Sequence, residues 1–249
     1  VVAALIAVCA ALVTFRIAVD VFAYHSTNHD EGVYLSQAAL LLDGQLQYFA
    51  GDLTDAVHPW FYIEDGGQLY PKYTPVPAAM FAVSMALFGE PRVTLALVAG
   101  ANAALEYALG ARAFDRRVGV VAAAVDAAAP LSLVSGSAFL PYAPTTTWNL
   151  LFAVCYLNGV RSGSLRWAAA AGLATGIAFF SRPYTAVLFA APFILHALWQ
   201  VASAARERAG RAELRERGAV ALAEFRPLPD PIARNALTAA GGLAFVGAA

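Results

Sequence analysis

The chain has 249 residues, a formal net charge of −1, 60% hydrophobic residues and 13% charged ones. Soluble domains carry about 25% charged residues. The shortfall, with polarity sorted into long apolar runs and short charged patches, excludes an assembly of one or two soluble domains. Several runs approach the roughly 20 residues that cross a hydrocarbon core.

Residues 1–23 open inside an apolar run, with no basic region before it and no cleavage site after it. They are expected to be a first membrane helix whose start is missing, not a signal peptide. Arg16 and Asp20 are i,i+4 neighbours and are expected to pair on one helix face near the interface. Cys9 and Cys155 lie in apolar runs without metal or disulfide spacing and read as small buried hydrophobes.

Residues 24–73 are polar. They hold Asp30, Glu31, Asp43, Asp52, Asp55, Glu64 and Asp65 against Lys72 alone. Tyr48, Phe49, Trp60, Phe61, Tyr62, Tyr70 and Tyr73 suit a headgroup layer. Within this segment "EGVYLSQAALLLDG" predicts a short helix stopped at Gly44, lying along the membrane. Residues 74–89 are apolar, start with Pro75 and Pro77 and end at "GEPR". Only about a dozen helical residues fit there, which predicts a short element that does not cross.

Crossing helices are expected at about 92–110, 118–136, 144–160, 165–181 and 184–200, with Gly110, Pro130, Pro141, Pro183 and Pro192 marking ends or kinks. "ARAFDRR" (111–117) carries three Arg and one Asp, "RSGSLR" (161–166) two Arg and no acid, and 201–235 seven Arg and five acids. One crossing per run places these three on one side and the acidic 24–73 segment on the other. The positive-inside rule makes the Arg-rich side cytoplasmic and 24–73 external. The 201–235 stretch has helical character, with Glu207 and Arg211 spaced to pair, and reads as a solvated, partly interfacial helix rather than a nucleic-acid contact. A further apolar run begins near Ala236, so the sequence is expected to be a fragment at both ends.

Asp30 and Glu31 form the first candidate site. Carboxylates near a membrane surface bind a divalent cation or accept a proton from a hydroxyl; Asp30 also suits a helix N-cap. His25 and His29 flank the pair, and Tyr34 follows it. Lys72 in "YPKYTPVP" is placed to meet a phosphate or to anchor at the interface. Glu64 and Asp65 complete an acidic pocket or form a turn in "EDGG". Arg182 in "FFSRPYT" falls at an outer helix end, either at a functional site or snorkelling to headgroups. Glu106 and Asp126 lie inside apolar runs, and Gly172 and Gly176 make a GxxxG packing face.

Four stretches, "DEGVYLSQAALLLDG" (30–44), "YPKYTPVPAAMFAVSMALFG" (70–89), "YALGARAFDRRVGVVAAAVDAAAPLSLVSGS" (107–137) and "SLRWAAAAGLATGIAFFSRP" (164–183), carry a family resemblance. In order and spacing they resemble the amino-terminal half of integral-membrane glycosyltransferases of the GT-C fold. The subgroup is the protein O-mannosyltransferase and aminoarabinose-transferase-like one, including rhizobial galacturonosyltransferases. The resemblance implies an all-α polytopic membrane bundle, truncated here across 1–249, with juxtamembrane helices in an external loop at 24–89 and a cytoplasmic loop at 201–235.

The resemblance also implies a polyprenyl- or dolichyl-phosphate sugar as donor and a protein or glycan hydroxyl as acceptor, in a multi-pass protein of the cytoplasmic membrane. Asp30, with Glu31 beside it, becomes the general base or a carboxylate associated with Mg²⁺ or Mn²⁺; apart from the resemblance, His29 beside the pair either joins such a metal site or marks the interface. Lys72 and Arg182 face the donor phosphate; apart from the resemblance, Tyr34, Glu64 and Asp65 are candidates for the acceptor side of the loop. This chain reads "KYTP" where relatives have a "KPP"-like stretch, and "YAPTTTWN" where many carry an acid. Two other classes stay open: a transporter or flippase with Asp20, Glu106 and Asp126 along its path, and a membrane protein without catalysis.

Overall fold

The computed structural model describes residues 1–23 and 28–224. His25, residues 225–235 and the apolar run from Ala236 lie outside the described residues. The described chain is mostly helical. It contains α1 (Val2–Asp20), α2 (His29–Leu42), α3 (Thr54–Val57), α4 (Pro75–Phe88), α5 (Arg92–Ala113), α6 (Arg116–Ala128), α7 (Pro130–Gly136), α8 (Tyr142–Ser162), α9 (Leu165–Phe179) and α10 (Pro183–Glu224). Three short strands, β1 (Tyr48–Phe49), β2 (Tyr62–Asp65) and β3 (Gln68–Pro71), lie between α2 and α4. The chain divides into two compact units, Val1–Ile194 and Leu195–Ala249.

Small residues let the helices of the first unit approach closely. Ala10, Thr14 and Ala18 make a buried stripe on α1 at a spacing of four. Ala10 packs with Ala103 of α5 and Ala123 of α6, and Ala18 with Leu95 of α5. A Cβ on Gly100 would stand 3.1 Å from the Ala7 carbonyl. Between α5 and α6, a Cβ on Gly119 would stand 2.5 Å from the Tyr107 carbonyl, so only glycine fits. With apolar lipid outside, this backbone proximity, not hydrophobic transfer, holds such helices together.

By length and composition α1, α5 and the Pro183–Arg215 part of α10 are each able to cross a membrane. The α6–α7 pair, bent by 61°, makes a fourth span if it acts as one. The bend falls at Pro130, one of the positions read as a kink or end. By itself α9, with 15 residues, is shorter than these, and α8 is long enough but carries Thr145, Thr146, Thr147, Asn149 and Asn158.

Arg92 fixes how α5 meets α1. Its guanidinium donates to the carbonyls of Ala18 at 3.1 Å and Ala23 at 2.7 Å, so the start of α5 sits at the end of α1. At the other end of α5, Arg112 donates to Asn158 of α8 at 2.9 Å, and Arg161 donates to the Arg112 carbonyl. The α5–α6 and α8–α9 connections therefore lie side by side.

The strands form an antiparallel sheet in the order β1-β3-β2, with Tyr48 opposite Leu69 and Tyr62 opposite Pro71. Sequence reading placed only short helices in this segment. The strands are too short, and β2 too exposed, to show an alternating pattern. Gly66 and Gly67, at φ 58° and 79°, form the tight hairpin turn between β2 and β3. The sheet rests on α2 through Val33, Tyr62 and Leu69.

In the second unit, Glu207 and Arg211 make the expected i,i+4 pair at 3.2 Å. The Arg16–Asp20 pair of α1 is also present, at 2.8 Å.

Candidate functional site

The site is built at the first turn of α2. Asn28 caps the helix, its Oδ1 accepting from the Asp30 amide at 3.0 Å. Asp30 therefore does not serve as the cap, the simpler of the two readings for this residue; it stands in the first turn with its carboxylate available. Tyr73, two residues before α4, donates its hydroxyl to Asp30 Oδ1 at 2.6 Å. Tyr34, one turn along α2 from Asp30, stacks on Tyr73 with ring centroids 5.0 Å apart.

The cations approach on other elements. Lys72 is exposed, and its ammonium stands 5.6 Å over the Phe61 ring, which neighbours Tyr73 at 5.9 Å. Phe61 adopts a left-handed backbone at φ 63°, a conformation costly for an aromatic residue, and its carbonyl accepts the Lys72 amide. Arg182 follows α9, in a loop held by Ser181. The Ser181 carbonyl accepts from Thr74 Oγ1 at 2.7 Å, and its buried hydroxyl bonds Thr145 Oγ1 at 2.6 Å. The half-buried Arg182 guanidinium lies 4.4 Å over the Tyr142 ring.

Both cations rest on aromatic faces, and among the described residues neither has a carboxylate partner. A ring quadrupole orients a cation without cancelling its charge. The two ends of the site meet electrostatically at Tyr34. Burial raises the Tyr34 hydroxyl above its ordinary value, the Asp30 charge raises it further, and Arg182 pulls it back. Burial and the hydrogen bond to Asp30 raise Tyr73 likewise. Both phenols stay protonated donors beside the carboxylate.

Other predicted residues go elsewhere. Glu31 is 1% exposed, and its Oε2 accepts the Phe139 amide at 2.8 Å, anchoring the α7–α8 connection. The His29 ring packs against Trp60 at 5.1 Å. Among the described residues no three His, Cys, Asp or Glu side chains are placed to hold a metal ion, so the set Asp30, Glu31 and His29 does not fit one. Glu64 accepts the Gly67 amide at 3.1 Å within the β2–β3 hairpin, and Asp65 pairs with Gln68 there; the turn reading of "EDGG" is what the geometry displays. Asp126 accepts from Ser132 across the α6–α7 bend, and Asp20 is tied to Arg16.

The adjacent face of α2 lines a cavity of about 740 Å³, walled mainly by His29, Val33, Ser36, Trp60, Tyr62 and Leu69. Tyr73, Tyr142 and Phe61 were missed as functional residues by sequence reading. The first two lie inside stretches that it singled out, but no local spacing announces a hydroxyl that reaches a carboxylate 43 positions away.

The family model described as dolichyl-phosphate-mannose-protein mannosyltransferase matches residues 72–225, more than half of the chain. The matched stretch starts at Lys72 and includes Arg182, while Asp30 precedes it. No curated protein and no solved structure matches the chain.

Proposed function

Because this chain belongs to the dolichyl-phosphate-mannose-protein mannosyltransferase family, a family of membrane glycosyltransferases, we propose that it serves lipid-linked glycosyl transfer at the outer membrane face. The donor is a polyprenyl- or dolichyl-phosphate sugar, and the acceptor is a hydroxyl on a protein or glycan. One observation carries this reading: a carboxylate and two cations, neither with a carboxylate partner among the described residues, each rest on an aromatic side chain where α2, α4, α8 and the α9–α10 loop come together.

The chemistry is a single inverting displacement. Asp30 holds one oxygen to Tyr73 and offers the other to the acceptor hydroxyl. As that hydroxyl oxygen bonds to the anomeric carbon, its proton passes to Asp30. The bond from the anomeric carbon to the phosphate oxygen breaks, and the electron pair leaves with the lipid phosphate. That leaving group is acidic already and needs positive charge more than a proton donor; Lys72 and Arg182 supply the charge. Protonated Tyr73 orients the carboxylate, Tyr34 backs the Tyr73 ring, and neither phenol competes as a base. Glu31 supports the site through the Phe139 amide, and no step runs through a cation held by these residues.

Labelled lipid-phosphate-sugar turnover by the full-length protein tests the proposal. Asp30→Asn keeps an acceptor for Tyr73 but removes the base, and turnover is expected to fall by about 10²–10⁴. Normal turnover by this variant overturns the role given to Asp30.

A further inference from the structure

The far end of α5 carries a second charged surface that the transfer reaction does not use. Arg112, Arg116, Arg117, Arg161 and Arg166 fall in or beside the α5–α6 and α8–α9 connections. Asp115 is the one acid there, and its carboxylate is engaged as the α6 cap, accepting the amides of Arg117 at 2.7 Å and Val118 at 2.9 Å. The Arg112–Asn158 bond and the Arg161 bond to the Arg112 carbonyl hold the two connections together. Close contact of Gly110 with Gly119 keeps α5 and α6 from splaying as they reach the surface.

Arg116, Arg117, Arg161 and Arg166 are exposed, and none has a carboxylate partner among the described residues. Apolar side chains are interleaved with them. Phe114 is 78% exposed, Leu165 83% and Trp167 42%. A surface built for soluble nucleic acid or an acidic protein has no need of bare Phe and Leu among its cations. Where headgroup phosphates overlie acyl chains, both kinds of side chain are satisfied at one depth.

We propose that this face binds anionic phospholipid, with Arg116, Arg117 and Arg166 on the headgroup phosphates and Phe114, Leu165 and Trp167 among the upper acyl carbons. Arg161, engaged with the Arg112 carbonyl, orders the platform. The bound lipid bridges the two connections and so holds the α5–α6 and α8–α9 hairpins in register. The surface acts independently of the transfer reaction.

The test is native mass spectrometry of the purified full-length protein, titrated with phosphatidylglycerol or phosphatidylcholine of matched chains. Phosphatidylglycerol is expected to be retained preferentially, with each arginine contributing about fivefold near an anionic headgroup. The triple variant Arg116→Gln, Arg117→Gln, Arg166→Gln is expected to lose more than about tenfold of that preference. The matching triple lysine variant is expected to keep most of it, and rising salt is expected to erode it in the unaltered protein. Equal retention of both lipids, or an unchanged preference in the glutamine variant, overturns the proposal. So does full competition by soluble glycerol phosphate, which marks a free-anion site. If the glutamine variant does not fold, the lysine variant and the salt titration still decide.

Discussion

Tyr73 donates its hydroxyl to Asp30 at 2.6 Å and so ties the entry of α4 to the first turn of α2. The bond is charge-assisted and short, which gives the carboxylate one orientation. Tyr34 stacks on the same ring and extends the support.

Tyr73→Phe is expected to keep the stack on Tyr34 while freeing the carboxylate to rotate. Turnover should fall by about tenfold, less than in Asp30→Asn, because the base is retained and only its positioning is lost. The acceptor-dependent rate separates the two variants. A drop in Tyr73→Phe as deep as in Asp30→Asn would show that the phenol itself takes part in proton transfer.

Lys72→Gln and Arg182→Gln are each expected to raise the donor KM by about tenfold or more, since a charge-assisted contact to phosphate is worth roughly 1.5–3 kcal/mol. Arg182→Lys should restore little, because a compact ammonium does not reproduce a planar guanidinium stacked 4.4 Å over Tyr142. Steady-state kinetics over a range of donor concentration checks this. An unchanged donor KM in both glutamine variants would remove these residues from the phosphate site.

Asp30 and Glu31 are adjacent in sequence, yet about 100° of helix rotation points them into different surroundings. Glu31→Gln retains an acceptor for the buried Phe139 amide and is expected to leave turnover near normal. Glu31→Ala removes the carboxylate that accepts from this buried amide and should cost about 1–3 kcal/mol of stability. Thermal unfolding in detergent, read beside turnover, distinguishes the two. Loss of turnover in Glu31→Gln at an unchanged Tm would give Glu31 a chemical role.

The helices were legible because apolar runs and their breakers are local signals. Pro130 marked the α6–α7 bend, and charge spacing announced Arg16–Asp20 and Glu207–Arg211. The sheet was not legible, since strands of two to four residues show too little alternation to register. Asp30, Lys72, Tyr34 and Arg182 were singled out as ionisable or aromatic groups beside a membrane or by family resemblance. Their supports were hidden: the contacts of Asp30 with Tyr73 and of Arg182 with Tyr142 exist only once distant segments have packed. Glu31 shows the same limit in reverse, because nothing next to it in the chain tells that Phe139 will claim it.

The last prediction concerns α4, whose 14 residues, all apolar but Ser84, invite assignment as a membrane crossing. At 1.5 Å per residue such a helix extends only about 21 Å, short of a hydrocarbon core of about 30 Å. Its two ends are also tied to one face. Before it, Tyr73 bonds Asp30, only ten residues past the end of α1. After it, Arg92 bonds the carbonyls of Ala18 and Ala23 at that same end of α1. Along its length Ala78 and Phe81 pack with Tyr34 and Ala38 of α2, another 14-residue helix. A crossing would part these ends by the thickness of the bilayer and carry the Arg-rich connections to the external side, against the positive-inside tendency. Single cysteines at Thr74 and Gly89 in an otherwise cysteine-free full-length protein are therefore expected to react with a membrane-impermeant thiol reagent from the same side. That side should be opposite to a cysteine placed at Arg116. Labelling of the Thr74 and Gly89 positions from opposite sides would make α4 a crossing and reverse the orientation of every helix after it.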